Sequence, residues 1–154
     1  MNEVLFAEGI EERKTYEKAF LFDASPLALS FIGDSVHTLF VRRYVLMKSP
    51  YKNGELHALS AALCCAKSQS EAAKRMRKYL TEDEIHVYKR AKGAKVHSVP
   101  KNADILEYKE ATALEAVVGY LYLLGEDERL NELLMQVYRP ENGNKEAQNG
   151  QYGE

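Results

Sequence analysis

Apolar residues in this chain recur at intervals of three and four, and hardly anywhere at intervals of two. After Ser25-Pro26 they stand at 28, 31, 32, 36, 39 and 40, the spacing of one helix face. Serine suits the cap and proline the first helical position, and Pro50 predicts an end at about Lys48. Beyond the Asn53-Gly54 turn, Leu56, Leu59, Leu63, Ala66, Ala73, Met76 and Leu80 predict one helix from Glu55 to Leu80. Thr81-Glu82-Asp83-Glu84 has the form of a capping box, so a third helix runs to about Lys92. Gly93 to Pro100 has little periodicity and reads as an exposed basic loop. Asn102 or Asp104 can cap a helix that ends at Leu124, before Gly125. A last helix covers about Glu126 to Tyr138, short of Pro140. No segment sustains strand alternation, so the expected fold class is all-α.

One domain spans residues 25–138 in this reading. Residues 1–24 form an acidic, partly helical extension with Leu5, Phe6, Tyr16, Phe20 and Leu21 packing on the body. Residues 139–154 are rich in Gly, Asn, Gln and Glu, the composition of a disordered tail. A length of 154 residues suits one core rather than two. No apolar run approaches the ~20 residues of a membrane span. Glu3, Glu8, Glu11 and Glu12 do not fit a signal peptide, and the adjacent Cys64 and Cys65 do not fit a disulfide framework. A reducing, cytoplasmic location is expected, with no membrane partner.

The net charge of −2 hides an uneven distribution. Lys67 to Lys101 holds ten basic and four acidic residues, whereas the remainder holds eleven basic and nineteen acidic. That asymmetry raises the odds of a polyanion on one face, although charge alone fits a solvated helix surface better.

Two carboxylates stand out against the apolar pattern. Asp34 is the sole formal charge between Ala24 and Val41, and Glu115 the sole one from Ala111 to Gly125. A carboxylate in such a segment is costly to bury unpaired, and Gly33 weakens its helix further. Either acid alone fits a satisfied buried group bonded to a tyrosine, histidine or arginine. Together they fit a shared site, because two close carboxylates repel unless a cation lies between them. Magnesium suits oxygen ligands, keeps several waters and can activate one of them beside a phosphodiester. The Ala111–Gly125 stretch is apolar on nearly every side, as in a helix surrounded by others or buried between subunits.

Ser30-Phe-Ile-Gly-Asp34-Ser-Val resembles the signature of ribonuclease III catalytic domains, Glu-Phe-Leu-Gly-Asp-Ser. Ala111-Thr-Ala-Leu-Glu115-Ala-Val-Val-Gly119 resembles that family's second motif, Asp-Thr-x-Glu-Ala-Leu-Ile-Gly. The pattern is closer still to the short, helix-only Mini-ribonuclease III branch. Leu27–Asp34, Ala66-Lys-Ser-Gln69, Val99-Pro-Lys-Asn102 and Ala113–Tyr122 match that branch in order and spacing. The likeness covers roughly residues 25 to 137.

What the resemblance implies is specific. Asp34 and Glu115 fall on the acids that act in catalysis and ligate Mg2+, while Ser30 and Thr112 replace two further acids. The branch lacks a double-stranded-RNA-binding domain and acts as a homodimer whose apolar signature helices meet across a two-fold axis. It hydrolyses both strands of an RNA duplex, leaves 5′-phosphates, and typically trims the precursor of large-subunit (23S) ribosomal RNA. The basic loop and its flanks, with Lys89, Arg90, Lys92, Lys95 and Lys101, are the expected RNA contacts. A catalytically inert RNA-binding or ribosome-associated module is the rival reading, kept alive by the two missing acids. A helical nucleotide phosphohydrolase lacks support, because the chain has no His-Asp dipeptide.

Other features carry less. His37, one turn after Asp34, fits a packing or hydrogen-bonding role better than a general base. Cys64 and Cys65 are expected mid-helix, with side chains diverging by about 100°, as small contact residues. His57, His86 and His97 are too scattered for a metal cluster. Tyr120 and Tyr122 are weak candidates to line the surroundings of Glu115.

Overall fold

The helix with the longest apolar run lies at the centre. In the computed structural model, residues 15–48, 52–96 and 98–139 are described. They form helices α1 (Lys18–Asp23), α2 (Pro26–Lys48), α3 (Asn53–Cys64), α4 (Ala66–Met76), α5 (Glu82–Gly93), α6 (Ile105–Leu124) and α7 (Asp127–Tyr138). A 3₁₀ turn over Arg77–Tyr79 follows α4 directly, and there is no strand among the described residues. The all-α expectation holds.

Helix α6 is wrapped by α2, α4 and α5, with α7 across a tight turn. Ala113, Leu114, Ala116, Val117 and Val118 are each 0% exposed within this one chain. The all-round apolar character of α6 therefore needs no subunit interface to explain it. Asp104 caps the helix by accepting from Leu106 and Glu107, and Gly125 closes it at φ 86, a left-handed value that suits glycine. Thr81 and Glu84 form the expected capping box of α5.

The expected single helix from Glu55 to Leu80 is broken. Cys65 takes an extended conformation, ψ 155, between α3 and α4. In a continuous helix the Ala62 carbonyl would accept from the amide of Ala66. Here it accepts instead from Ser68 Oγ at 2.7 Å and Cys65 Sγ at 3.3 Å. Side-chain donors thus replace a backbone rung and the chain bends. Cys64 and Cys65 lie at that junction rather than mid-helix. After the bend, α4 turns Gln69, Ser70, Ala72, Ala73 and Met76 inward.

Helix α1 buries Leu21, whereas Phe20 is 60% exposed and stacks on exposed Tyr16 at 5.4 Å, so those two rings do not pack into the body. Leu5, Phe6, His97 and the tail from Pro140 lie outside the described residues.

Candidate active site

Two glycines set the geometry of the site. A Cβ on Gly33 would lie 1.6 Å from the carbonyl oxygen of Glu115, and one on Gly119 would lie 2.0 Å from that of Leu29. Helices α2 and α6 cross here at a separation that no larger residue permits. The glycine before Asp34 thus rests on the backbone of Glu115, and the crossing brings both acids to one cleft. Its apparent cost within α2 is the condition for that approach.

The cleft has a volume of about 350 Å³; Ser30, Asp34, Gln69, Tyr108, Thr112 and Glu115 supply its polar lining. The four positions singled out by the motifs (30, 34, 112 and 115) all meet there. Asp34 is exposed at the rim, so the expected burial of that carboxylate does not occur. Helix α2 turns it outward while Leu29, Gly33, His37 and Val41 face the core.

Glu115 is the half-buried partner. Its Oε2 accepts from Ser30 Oγ at 2.8 Å. Burial, with the nearby Asp34 charge, lifts its pKa to about 7 against the counteracting hydrogen bonds from Ser30 and Gln69. Thr112 directs its hydroxyl to the carbonyl of Tyr108 at 2.9 Å. Tyr120 is not part of the cleft: it is buried and stacked on Phe22 at 5.9 Å. Tyr122 does not line it either.

His37 is fully buried and bonded to Tyr138, and burial lowers its pKa to about 4. A neutral, enclosed imidazole fits the packing role. Gln69 is the cleft residue that reasoning from charge passed over. The Ala66-Lys-Ser-Gln69 stretch was the one signal pointing to it.

The cleft offers hard oxygen donors, and among the described residues no cation acts on Glu115. Among the described residues no group of three or more His, Cys, Asp or Glu side chains could hold a metal. Two carboxylates fit a small divalent ion that keeps much of its water.

The predicted basic residues divide. Lys89 on α5 and Lys95 and Lys101 in the α5–α6 connection are exposed. Arg90 donates to the carbonyls of Phe22 and Ala24, tying α5 to the end of α1. Lys92 pairs with Glu110. Arg77, outside the predicted set, joins Lys89 and Lys92 around a pocket of about 250 Å³.

Residues 27–126 match the family model of the ribonuclease III domain. The chain belongs to the ribonuclease III family. That membership makes it a hydrolase of the endoribonuclease class, in a family that is generally metal-dependent. A Mini-ribonuclease 3 of Clostridium tetani is 41% identical over 123 residues, covering 79% of this chain and 82% of that protein. One of Brevibacillus brevis is 40% identical over 114 residues, covering 74% and 85%. A crystal structure of a Fusobacterium nucleatum protein superposes with TM-score 0.69 at 36% identity, covering 77% of this chain and 96% of the other. Like the ribonuclease III resemblance of the motifs, the family-model match spans the α2–α6 crossing. Among the described residues no helix is long and apolar enough to cross a membrane.

Proposed function

We propose that the chain is a magnesium-dependent endoribonuclease that cuts both strands of an RNA duplex, leaves 5′-phosphates, and matures the 23S ribosomal RNA precursor in the cytoplasm. The observation that carries this reading is the pairing of Asp34 and Glu115 in one cleft, with no cation among the described residues acting on Glu115. Asp34 at the rim and Glu115 on the floor would hold the ion. When bound, Mg2+ supplies a water of lowered pKa and neutralises charge on the phosphodiester. Ser30 holds Glu115 by its 2.8 Å hydrogen bond and adds no charge of its own. Glu115 must give up its proton to act as a ligand, so its raised pKa makes ion binding pH-dependent.

RNA duplexes are read mainly through shape, phosphates and 2′-hydroxyls. Lys89, Lys95 and Lys101 are the exposed contacts of the basic edge. Arg90 and Lys92, engaged within the protein, brace the same edge and contribute charge. Two such sites along one duplex require two chains. Leu27, Phe31, Leu39 and Leu46 share a broad face of α2 and are all exposed, Phe31 by 77%. A second copy seated on that face would give the homodimer.

The deciding experiment incubates a long RNA duplex with the protein, with and without Mg2+, beside Asp34→Asn and Glu115→Gln. Metal-dependent cleavage that each substitution lowers by at least about 100-fold is expected. Wild-type protein that binds duplex but never cuts would establish the inert-module reading instead.

A further inference from the structure

Two buried polar side chains, His37 and Gln69, form with Tyr138 a run of hydrogen bonds that leads to Glu115. His37 is 0% and Gln69 4% exposed, and each would be costly to bury alone. Gln69 Nε2 lies 3.4 Å from His37 Nδ1, and His37 Nε2 lies 2.6 Å from the Tyr138 hydroxyl. At the other end Gln69 and Glu115 line the same cleft, where the Gln69 amide lowers the pKa of Glu115 and Ser30 donates to its carboxylate. The chain thus links α7, α2, α4 and α6.

The direction of every bond follows from the carboxylate. An ionised carboxylate only accepts, so Gln69 must present its amide N–H to Glu115. The second N–H of that nitrogen then points to His37 Nδ1, which accepts. An imidazole that accepts at Nδ1 carries its proton on Nε2 and donates it to the Tyr138 oxygen. Were Nδ1 the donor, the amide would turn over and set its oxygen against the carboxylate. His37 and Tyr138 therefore select the face that Gln69 shows to Glu115.

We propose that Gln69 is a positioning residue for Glu115, held in its donor orientation by His37 and Tyr138. The inference rests on the reading of the cleft as a metal site. Partners behind a ligating group fix its orientation, and their loss typically weakens metal binding by about 10- to 100-fold.

The test measures Mn2+ binding to metal-stripped protein by the electron paramagnetic resonance of free Mn2+. It is paired with duplex cleavage as a function of metal concentration. Gln69→Met keeps the volume and removes the amide; it should weaken Mn2+ binding by about 10-fold or more. Its cleavage rate should recover towards wild type as metal is raised, a recovery that a misfolded protein would not show. Tyr138→Phe removes one oxygen at the outer end, keeps the ring packing and should weaken binding less, in the same direction. If Gln69→Met does not fold, Tyr138→Phe decides. Wild-type Mn2+ affinity in the variants that fold, beside lost binding in Glu115→Gln, overturns this inference alone. Glu115→Gln that binds Mn2+ and cuts like wild type overturns the metal-site reading, and this inference with it.

Discussion

Glu110 and Glu115 sit less than two turns apart on α6, yet their surroundings treat them oppositely. Glu110, 3% exposed, meets the hydroxyl of Tyr88 and the ammonium of Lys92. Burial alone would raise its pKa, but the hydrogen bonds from Lys92 and Tyr88 and the Lys92 charge outweigh it and hold the group below its ordinary value. Glu115 has two neutral donors and a second carboxylate nearby, and stands near 7. A buried acid supplied with a cation serves the fold. A half-buried one supplied with neutral donors and a like charge lowers stability where it stands, and such conflicts mark functional positions.

Four outcomes would break or sharpen that contrast. The largest concerns activity: Glu115→Gln should abolish duplex cleavage, whereas Glu110→Gln should keep it within about 10-fold. Loss in both would mean that Glu110 also belongs to the catalytic machinery. Stability should reverse the ranking. Glu110→Gln strips Lys92 and Tyr88 of a charged acceptor and should cost about 1–3 kcal/mol, read by urea unfolding. Glu115→Gln should cost less, or stabilise the metal-free protein at neutral pH.

The third outcome is the pH dependence in chelator. The folded pKa of Glu115 is raised to about 7 from an ordinary 4.5. Its contribution is fully present below about 4.5 and lost as pH rises through 7, on the order of 2 kcal/mol. Glu115→Gln should remove that fall. The lowered pKa of Glu110 acts the other way: its contribution is present above 4.5 and lost as pH falls through the folded value. A stability profile unchanged by Glu115→Gln between pH 5 and 8 would refute the contrast. The smallest effect concerns Lys95→Ala and Lys101→Ala. Each should weaken duplex binding by a few-fold and flatten its salt dependence by about one phosphate contact. Unchanged affinity and slope would remove the basic edge from the RNA interface.

Much of this was legible in the order of residues. Helix starts at Thr81 and Asp104 rest on side chains within three positions of the groups they cap, and the start at Ser25-Pro26 rests on the Ser25 carbonyl, so local chemistry decides them. The break at Cys65 escaped prediction because it is marked by Ser68 and Cys65 reaching back to Ala62, and apolar spacing continues across the bend. The exposure of Asp34 was missed for a related reason: a largely apolar segment does not say which sector α6 will cover. The Tyr138–His37 contact joins residues 101 apart, a distance at which only the fold brings side chains together.

The Gly33–Gly119 crossing has a mechanical consequence. Two rods touching at one point rock about that point, and displacement grows with distance from it. Asp34 follows Gly33 directly, and the backbone of Glu115 is itself the surface that Gly33 touches. Both acids therefore ride almost on the pivot, where thermal swinging of the helices moves them least. The C-terminal end of α2 at Lys48, far from the pivot at about 1.5 Å per residue, has more freedom to shift. The gap between the carboxylates is insulated from that motion, which lets the protein adjust its outer surfaces without detuning its centre.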